Sequence, residues 1–82
     1  MLRKQAQKRL IKEILKSYME QSEKALAIQK YATEQDFFEN LLFNYYRACD
    51  TITQLNLMQI ISEDLAHSAH ASLSAHIQYF SK

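Results

Sequence analysis

The chain contains no glycine and no proline among its 82 residues. These two residues supply most of the tight turns and bulges that β-sheets require. They also weaken or break helices, so a chain without them suits long, uninterrupted helices. The sequence therefore predicts an all-α fold, and its length allows a single helical domain covering residues 1–82.

Apolar residues recur at helical spacing and predict three helices. At about 100° per residue they form one face in each of the segments 2–32, 34–53 and 57–80. The same pattern assigns Met58 and Tyr79 to the buried side. Short connections favour antiparallel neighbours. We therefore expect a three-helix antiparallel bundle or an extended helical hairpin, and completion of the core by a homodimer stays open.

Both helix junctions are predicted from capping chemistry alone. Thr33 can accept a hydrogen bond from a backbone N–H at the start of the second helix. Glu34 would then lie in the first turn, where the helix dipole favours an acidic side chain. Asn56, with Gln59 three residues later, resembles a capping box and predicts that the third helix starts at Leu57.

Basic residues are concentrated at the start of the chain. Residues 1–16 hold six basic residues against one acid, a net charge of +5, whereas the rest holds four basic residues and eight acids, a net charge of −4. The six are Arg3, Lys4, Lys8, Arg9, Lys12 and Lys16. Such a segment is typical of a nucleic-acid-binding surface, and a solvated helix face is the simpler alternative.

Residues with catalytic or metal-binding chemistry are few and do not converge. His67 and His70 share one face of the predicted third helix while His76 projects away from them, so one metal ion cannot bind all three. Cys49 is the only cysteine and lies on an apolar helix face. Without glycine there is no phosphate-binding loop. We expect no enzymatic activity, metal, cofactor or small-molecule substrate; a phosphotransfer role for His67 or His70 is a third hypothesis.

The segment from Leu65 to Phe80 opens with Leu-Ala and closes with Leu-Ser-Ala-His-Ile-Gln-Tyr-Phe. In these two parts it resembles the paired helices of winged-helix repressors of the arsenic-repressor type. The resemblance implies a helix-turn-helix and DNA binding. The residues between the two parts are too few for the usual turn, which often contains glycine. We therefore predict one continuous helix here.

The second helix carries an aromatic and basic patch outside its apolar face. Phe43, Tyr46 and Arg47 project away from the predicted core, and aromatic residues and arginine dominate the energetics of protein interfaces. A covering of Phe43 by the first helix is the alternative. A second candidate contact strip lies on the first helix, formed by Leu15, Met19 and Leu26.

These features rank the functions that the sequence permits. The leading hypothesis is a non-enzymatic interaction module, an adaptor, inhibitor or assembly subunit that binds a protein partner or a second copy. A small nucleic-acid-binding protein that uses the basic first helix is the alternative. The sequence shows neither a signal-peptide pattern nor a membrane-length apolar run, so we expect no membrane association and a cytoplasmic location.

Overall fold

The computed structural model describes residues 1–27 and 34–80 and confirms the all-α fold. Its three helices are α1 (Lys4–Ala27), α2 (Glu34–Leu57) and α3 (Glu63–Phe80), and the described residues include no strand. The start predicted for the second helix at Glu34 is confirmed. The predicted end of the first helix at residue 32 and the cap at Thr33 lie outside the described residues.

The end of the second helix differs from the prediction. α2 continues to Leu57 and closes with a Schellman motif, a paired hydrogen-bond pattern that satisfies the last carbonyl groups. The Ile60 N–H donates to the Leu55 carbonyl at 2.9 Å, and the Gln59 N–H donates to the Asn56 carbonyl at 3.0 Å. Gln59 adopts a φ of 60°, the left-handed conformation that glycine usually supplies in this motif.

The third helix begins later than predicted, and its cap is a different residue. The Ser62 hydroxyl accepts a hydrogen bond from the Leu65 N–H at 3.2 Å, which makes Ser62 the N-cap of α3. The predicted capping box at Asn56 is wrong because Asn56 lies in the last turn of α2. Its side-chain amide instead donates to the Ile61 carbonyl at 3.3 Å and closes the turn. The continuity of α3 through Phe80 is confirmed.

The helices run up, down and up along a rod of 43 × 18 × 18 Å. Ile14 of α1 and Thr51 of α2 line one cavity and Ala25 and Asn40 line the next, so α1 and α2 are antiparallel. Thr53 of α2 bonds to His70 of α3 while Leu41 clusters with Ile77, so α2 and α3 are antiparallel as well. α1 and α3 are parallel: Gln7 bonds to residue 62 near one end of the rod, and Tyr18 bonds to residue 76 further along.

Two apolar clusters fill the space between the helices. The larger contains Ile11, Tyr18, Ala48, Ile52, Ile61, Ala66, Ala69 and Leu73. The smaller contains Phe37, Leu41 and Ile77. Met58 and Tyr79 were expected on the buried side but are 65% and 71% exposed. Met58 lies in the turn rather than in α3, and Tyr79 lies in the last turn, where its ring packs edge-on against Phe80.

Gln7 is a buried polar residue that ties the start of the chain to the α2–α3 turn. Its side-chain amide donates to the Leu2 carbonyl at 2.6 Å, and its side-chain oxygen accepts from the Ser62 N–H at 2.8 Å. The Leu2 N–H in turn donates to the Ile60 carbonyl at 3.2 Å. The two side-chain bonds satisfy the nitrogen and the oxygen of the Gln7 amide. Without these partners, burial of the amide would cost free energy.

The conformation of Gln59 yields a stability prediction. A Gln59→Gly substitution should raise the free energy of unfolding by about 0.5–1 kcal/mol, because glycine adopts the left-handed conformation without the clash of a Cβ atom. Urea denaturation measures this change. The matched control is Gln54→Gly in the exposed interior of α2, which should lower the free energy of unfolding by about 1 kcal/mol. Similar losses in both variants would contradict the role assigned to Gln59.

Candidate functional site

A groove lies between α1 and α2. It consists of two adjoining cavities of about 310 Å³ each, which share Gln21, Asn44 and Arg47. From α1 it is lined by Ile14, Ser17, Tyr18, Gln21, Lys24 and Ala25. From α2 it is lined by Asn40, Phe43, Asn44, Arg47, Ala48 and Thr51. We call this surface the α1–α2 groove.

Asn44 fixes the floor of the α1–α2 groove by crossing from α2 to α1. Its side-chain amide donates to the Tyr18 carbonyl at 2.9 Å and to the Ser22 hydroxyl at 3.1 Å. Ser22 is only 1% exposed, so this bond satisfies a hydroxyl that has no access to water. The two bonds set the register of the antiparallel helix pair.

Tyr18 continues this polar connection to α3. Its hydroxyl lies 2.6 Å from Nδ1 of His76, and the two rings meet edge-on at 4.9 Å. Burial raises the pKa of Tyr18 and lowers the pKa of His76, so burial favours the neutral form of both side chains. The donor of this bond is set by which ring nitrogen of His76 carries the proton. The other side of the His76 ring packs against Phe80 at 5.0 Å.

The structure brings two of the three predicted patch residues together at the groove. Phe43 is 65% exposed, and the Arg47 guanidinium carbon lies 5.9 Å from the centre of its ring, within cation–π range. Both residues line the α1–α2 groove. Tyr46 is 58% exposed but lies outside the groove, and its ring instead contacts Tyr45 at 5.4 Å. The expected patch is thus split between the groove and the outer face of α2.

The predicted strip on the first helix is separate from the groove. Leu15 is half-buried and packs against the larger core cluster. Met19 and Leu26 are exposed, at 43% and 36%. None of the three lines the α1–α2 groove. Leu15 therefore contributes mainly to the core, and Met19 and Leu26 are exposed about two turns apart on α1.

Sequence reasoning missed the amide side chains of the groove, Gln21, Asn40 and Asn44. A signal was present for Asn44, because its partner Ser22 is a polar residue at a buried position of α1. A buried hydroxyl requires a hydrogen-bond partner on a neighbouring helix or from its own backbone. The sequence alone could not say which polar residue of the second helix would supply that bond.

The predicted basic residues are all exposed and lie towards one end of the rod. They are Arg3, Lys4, Lys8, Arg9, Lys12 and Lys16. Lys8, Lys12 and Lys16 are spaced four residues apart and form a row on one side of α1. Lys4 and Lys8 also line a cavity of about 280 Å³ between α1 and α3, where Asp64 lies beside them.

The residues with nucleophilic or metal-binding chemistry remain dispersed. His67 is exposed, and Nε2 of His70 is hydrogen-bonded to the Thr53 hydroxyl at 3.2 Å. Burial raises the pKa of the half-buried Cys49 thiol, which disfavours the reactive thiolate. Within the described ranges, no three histidine, cysteine or acidic side chains gather in a metal-binding arrangement.

No family model, curated protein or solved structure matches this chain. Across residues 1–27 and 34–80, none of the helices combines the length and apolar content needed to cross a bilayer.

The burial of His76 makes stability depend on pH. The folded state lowers the pKa of His76 below its unfolded value of about 6.5, so the unfolded state binds more protons below that pH. This contribution to stability is full above about pH 6.5 and should be lost as the pH falls towards the folded-state pKa. The free energy of unfolding, measured in urea between about pH 7.5 and pH 5.5, should therefore decrease.

The control separates His76 from other acid-sensitive groups. His76→Gln keeps a hydrogen-bond acceptor but cannot take up a proton near neutral pH, so its stability should change less over this range. The exposed His67→Gln variant should keep the pH dependence of the wild type. Equal pH dependence in all three proteins would show that His76 is not responsible.

Proposed function

We propose that this protein is a non-enzymatic helical interaction module that binds a protein partner through the α1–α2 groove. The observation that carries the proposal is the exposure of Phe43. This large aromatic side chain is 65% exposed and lines one cavity of the groove. Arg47 stacks on its ring and is also exposed. Large aromatic residues and arginine at a concave site are the usual centre of a protein interface.

The energetics favour covering this surface. Full burial of a phenylalanine side chain is worth about 1.5–3 kcal/mol relative to leaving it in water. The Arg47 guanidinium carbon lies 5.9 Å from the centre of the Phe43 ring, and this cation–π contact strengthens when a partner removes water from it. Tyr46, exposed on the adjoining outer face of α2, can extend the contact.

An adaptor, an inhibitor and an assembly subunit all fit this proposal, as does association of two copies. The proposal includes a cytoplasmic location.

Substitution of Phe43 tests the module. Phe43→Glu should weaken partner binding by about 30-fold or more, because it places a charge where an aromatic anchor is buried. Light scattering measures self-association, and affinity capture from the native cell measures binding of other proteins. Tyr79→Glu is the matched control, since Tyr79 is an exposed aromatic residue outside the groove. The proposal fails if Phe43→Glu and the wild type have the same mass and the same captured partners.

The exposed basic residues of α1 favour nucleic-acid binding as a second candidate function. Residues 1–16 carry a net charge of +5, and the row formed by Lys8, Lys12 and Lys16 extends for about 12 Å along one side of α1. Phosphate contacts by lysine and arginine supply sequence-independent affinity for DNA and RNA. The row is on a different part of the surface from Phe43, so the two functions can be separated by substitution.

Salt dependence tests the second candidate. If the row contacts phosphates, a variant with glutamine at Lys8, Lys12 and Lys16 should lose most affinity for a DNA duplex at low salt, and the salt dependence should become shallower. Fluorescence anisotropy measures both quantities. Lys24→Gln is the matched control because Lys24 lies in the groove. The absence of binding to any DNA or RNA by the wild type at low salt would exclude this function.

A further inference from the structure

The charges and length of the α1–α2 groove allow its occupant to be specified. We infer that the groove binds an acidic amphipathic helix of another protein, which would complete a four-helix arrangement with α1, α2 and α3. The inference rests on the proposed function and adds the chemical class of the partner.

The first argument is electrostatic. Among the described residues that line the groove, Lys24 and Arg47 are charged, and none is a carboxylate. The remaining polar groups are amides and hydroxyls, which are neutral. A partner that covers the groove removes water from both cations, and this costs free energy unless the partner supplies opposite charges. Aspartate or glutamate on the partner meets this requirement, whereas lysine or arginine would add repulsion.

The second argument is the shape of the groove. It extends from Ile14 to Ala25 on α1 and from Asn40 to Thr51 on α2. At ~1.5 Å per residue each side spans about 17 Å, which corresponds to roughly three helical turns. A channel between two antiparallel helices is the surface into which a third helix packs with its apolar side. An occupant of this length presents apolar residues at spacings of three and four.

The third argument is the composition of the groove walls. Apolar contacts are provided by Ile14, Ala25 and Ala48, and the exposed Phe43 side chain lines the α2 side of the groove. Small side chains such as alanine let a helix approach closely. The amide of Asn44 is already bonded to Tyr18 and Ser22, so the floor presents no unsatisfied donor that an apolar side chain would bury. The groove therefore accepts apolar residues against its apolar side chains and acids beside its two exposed cations.

Two synthetic peptides test the charge preference. Both are helical, about four turns long, with leucines spaced three and four residues apart; one carries glutamate beside the leucines and the other carries lysine. Titration into the isotopically labelled protein, followed by NMR, should show the glutamate peptide binding at least about tenfold more tightly. The side-chain amide signals of Gln21, Asn40 and Asn44 should shift, since these groups line the groove.

Charge reversal within the groove provides the decisive comparison. The double variant Lys24→Glu/Arg47→Glu should prefer the lysine peptide, because the sign of the groove is inverted while its shape is kept. Lys12→Glu, a reversal at an exposed position of α1 outside the groove, should leave the preference for the glutamate peptide unchanged. Equal binding of both peptides, no binding of either, or a preference that survives the double reversal would overturn the inference.

The other outcomes distinguish this inference from the proposed function. If Phe43→Glu abolishes capture of a partner but the double reversal does not, the interaction module stands and the acidic helix is excluded. If the wild type self-associates and groove signals shift with protein concentration alone, a second copy occupies the groove and the inference is wrong. If Phe43→Glu changes no partner, both the proposed function and the inference fail.

Discussion

Tyr18 joins all three helices through two different parts of the same residue. Its backbone carbonyl accepts a hydrogen bond from Asn44 of α2, and its side-chain hydroxyl is bonded to His76 of α3. The aromatic ring is 3% exposed and belongs to the larger core cluster. The alignment of α1 with both neighbours is therefore fixed by directional hydrogen bonds as well as by the hydrophobic effect, which is non-directional.

The position of the groove follows from this arrangement. The side chain of Asn44 reaches across to α1 and holds the two helices together. The same side chain lines both cavities of the groove. Phe43 and Arg47 precede and follow Asn44 on α2, so the residue that fixes the helix pair also positions the exposed aromatic group. Asn44, which supports the helix pair, thus lies close on α2 to the two residues proposed for recognition.

Sequence alone was sufficient for the fold class, for the three helices and for the start of α2. The spacing of apolar residues carries the information on the three helices because each helix buries one side, whereas the start of α2 was predicted from capping chemistry. It could not locate the α2–α3 turn, since Gln59 takes a left-handed conformation that no glycine marks and Ser62, rather than Asn56, caps α3. It placed Phe43 and Arg47 on an exposed surface but could not detect the groove beside them, because a groove depends on the rotation of α1 against α2.

The bonds of Gln7 have a consequence for the order in which the chain folds. The α2–α3 turn is closed by local bonds, such as that between Asn56 and Ile61, which lie five positions apart. Gln7 and Ser62 are separated by 55 positions, and Tyr18 and His76 by 58. Closing long loops costs more chain entropy than closing short ones, so contacts of high sequence separation tend to form late. The bonds of α2 span 22 and 26 positions to α1 and 17 positions to α3. We therefore expect the contacts between α1 and α3 to form last, after each of these helices has paired with α2.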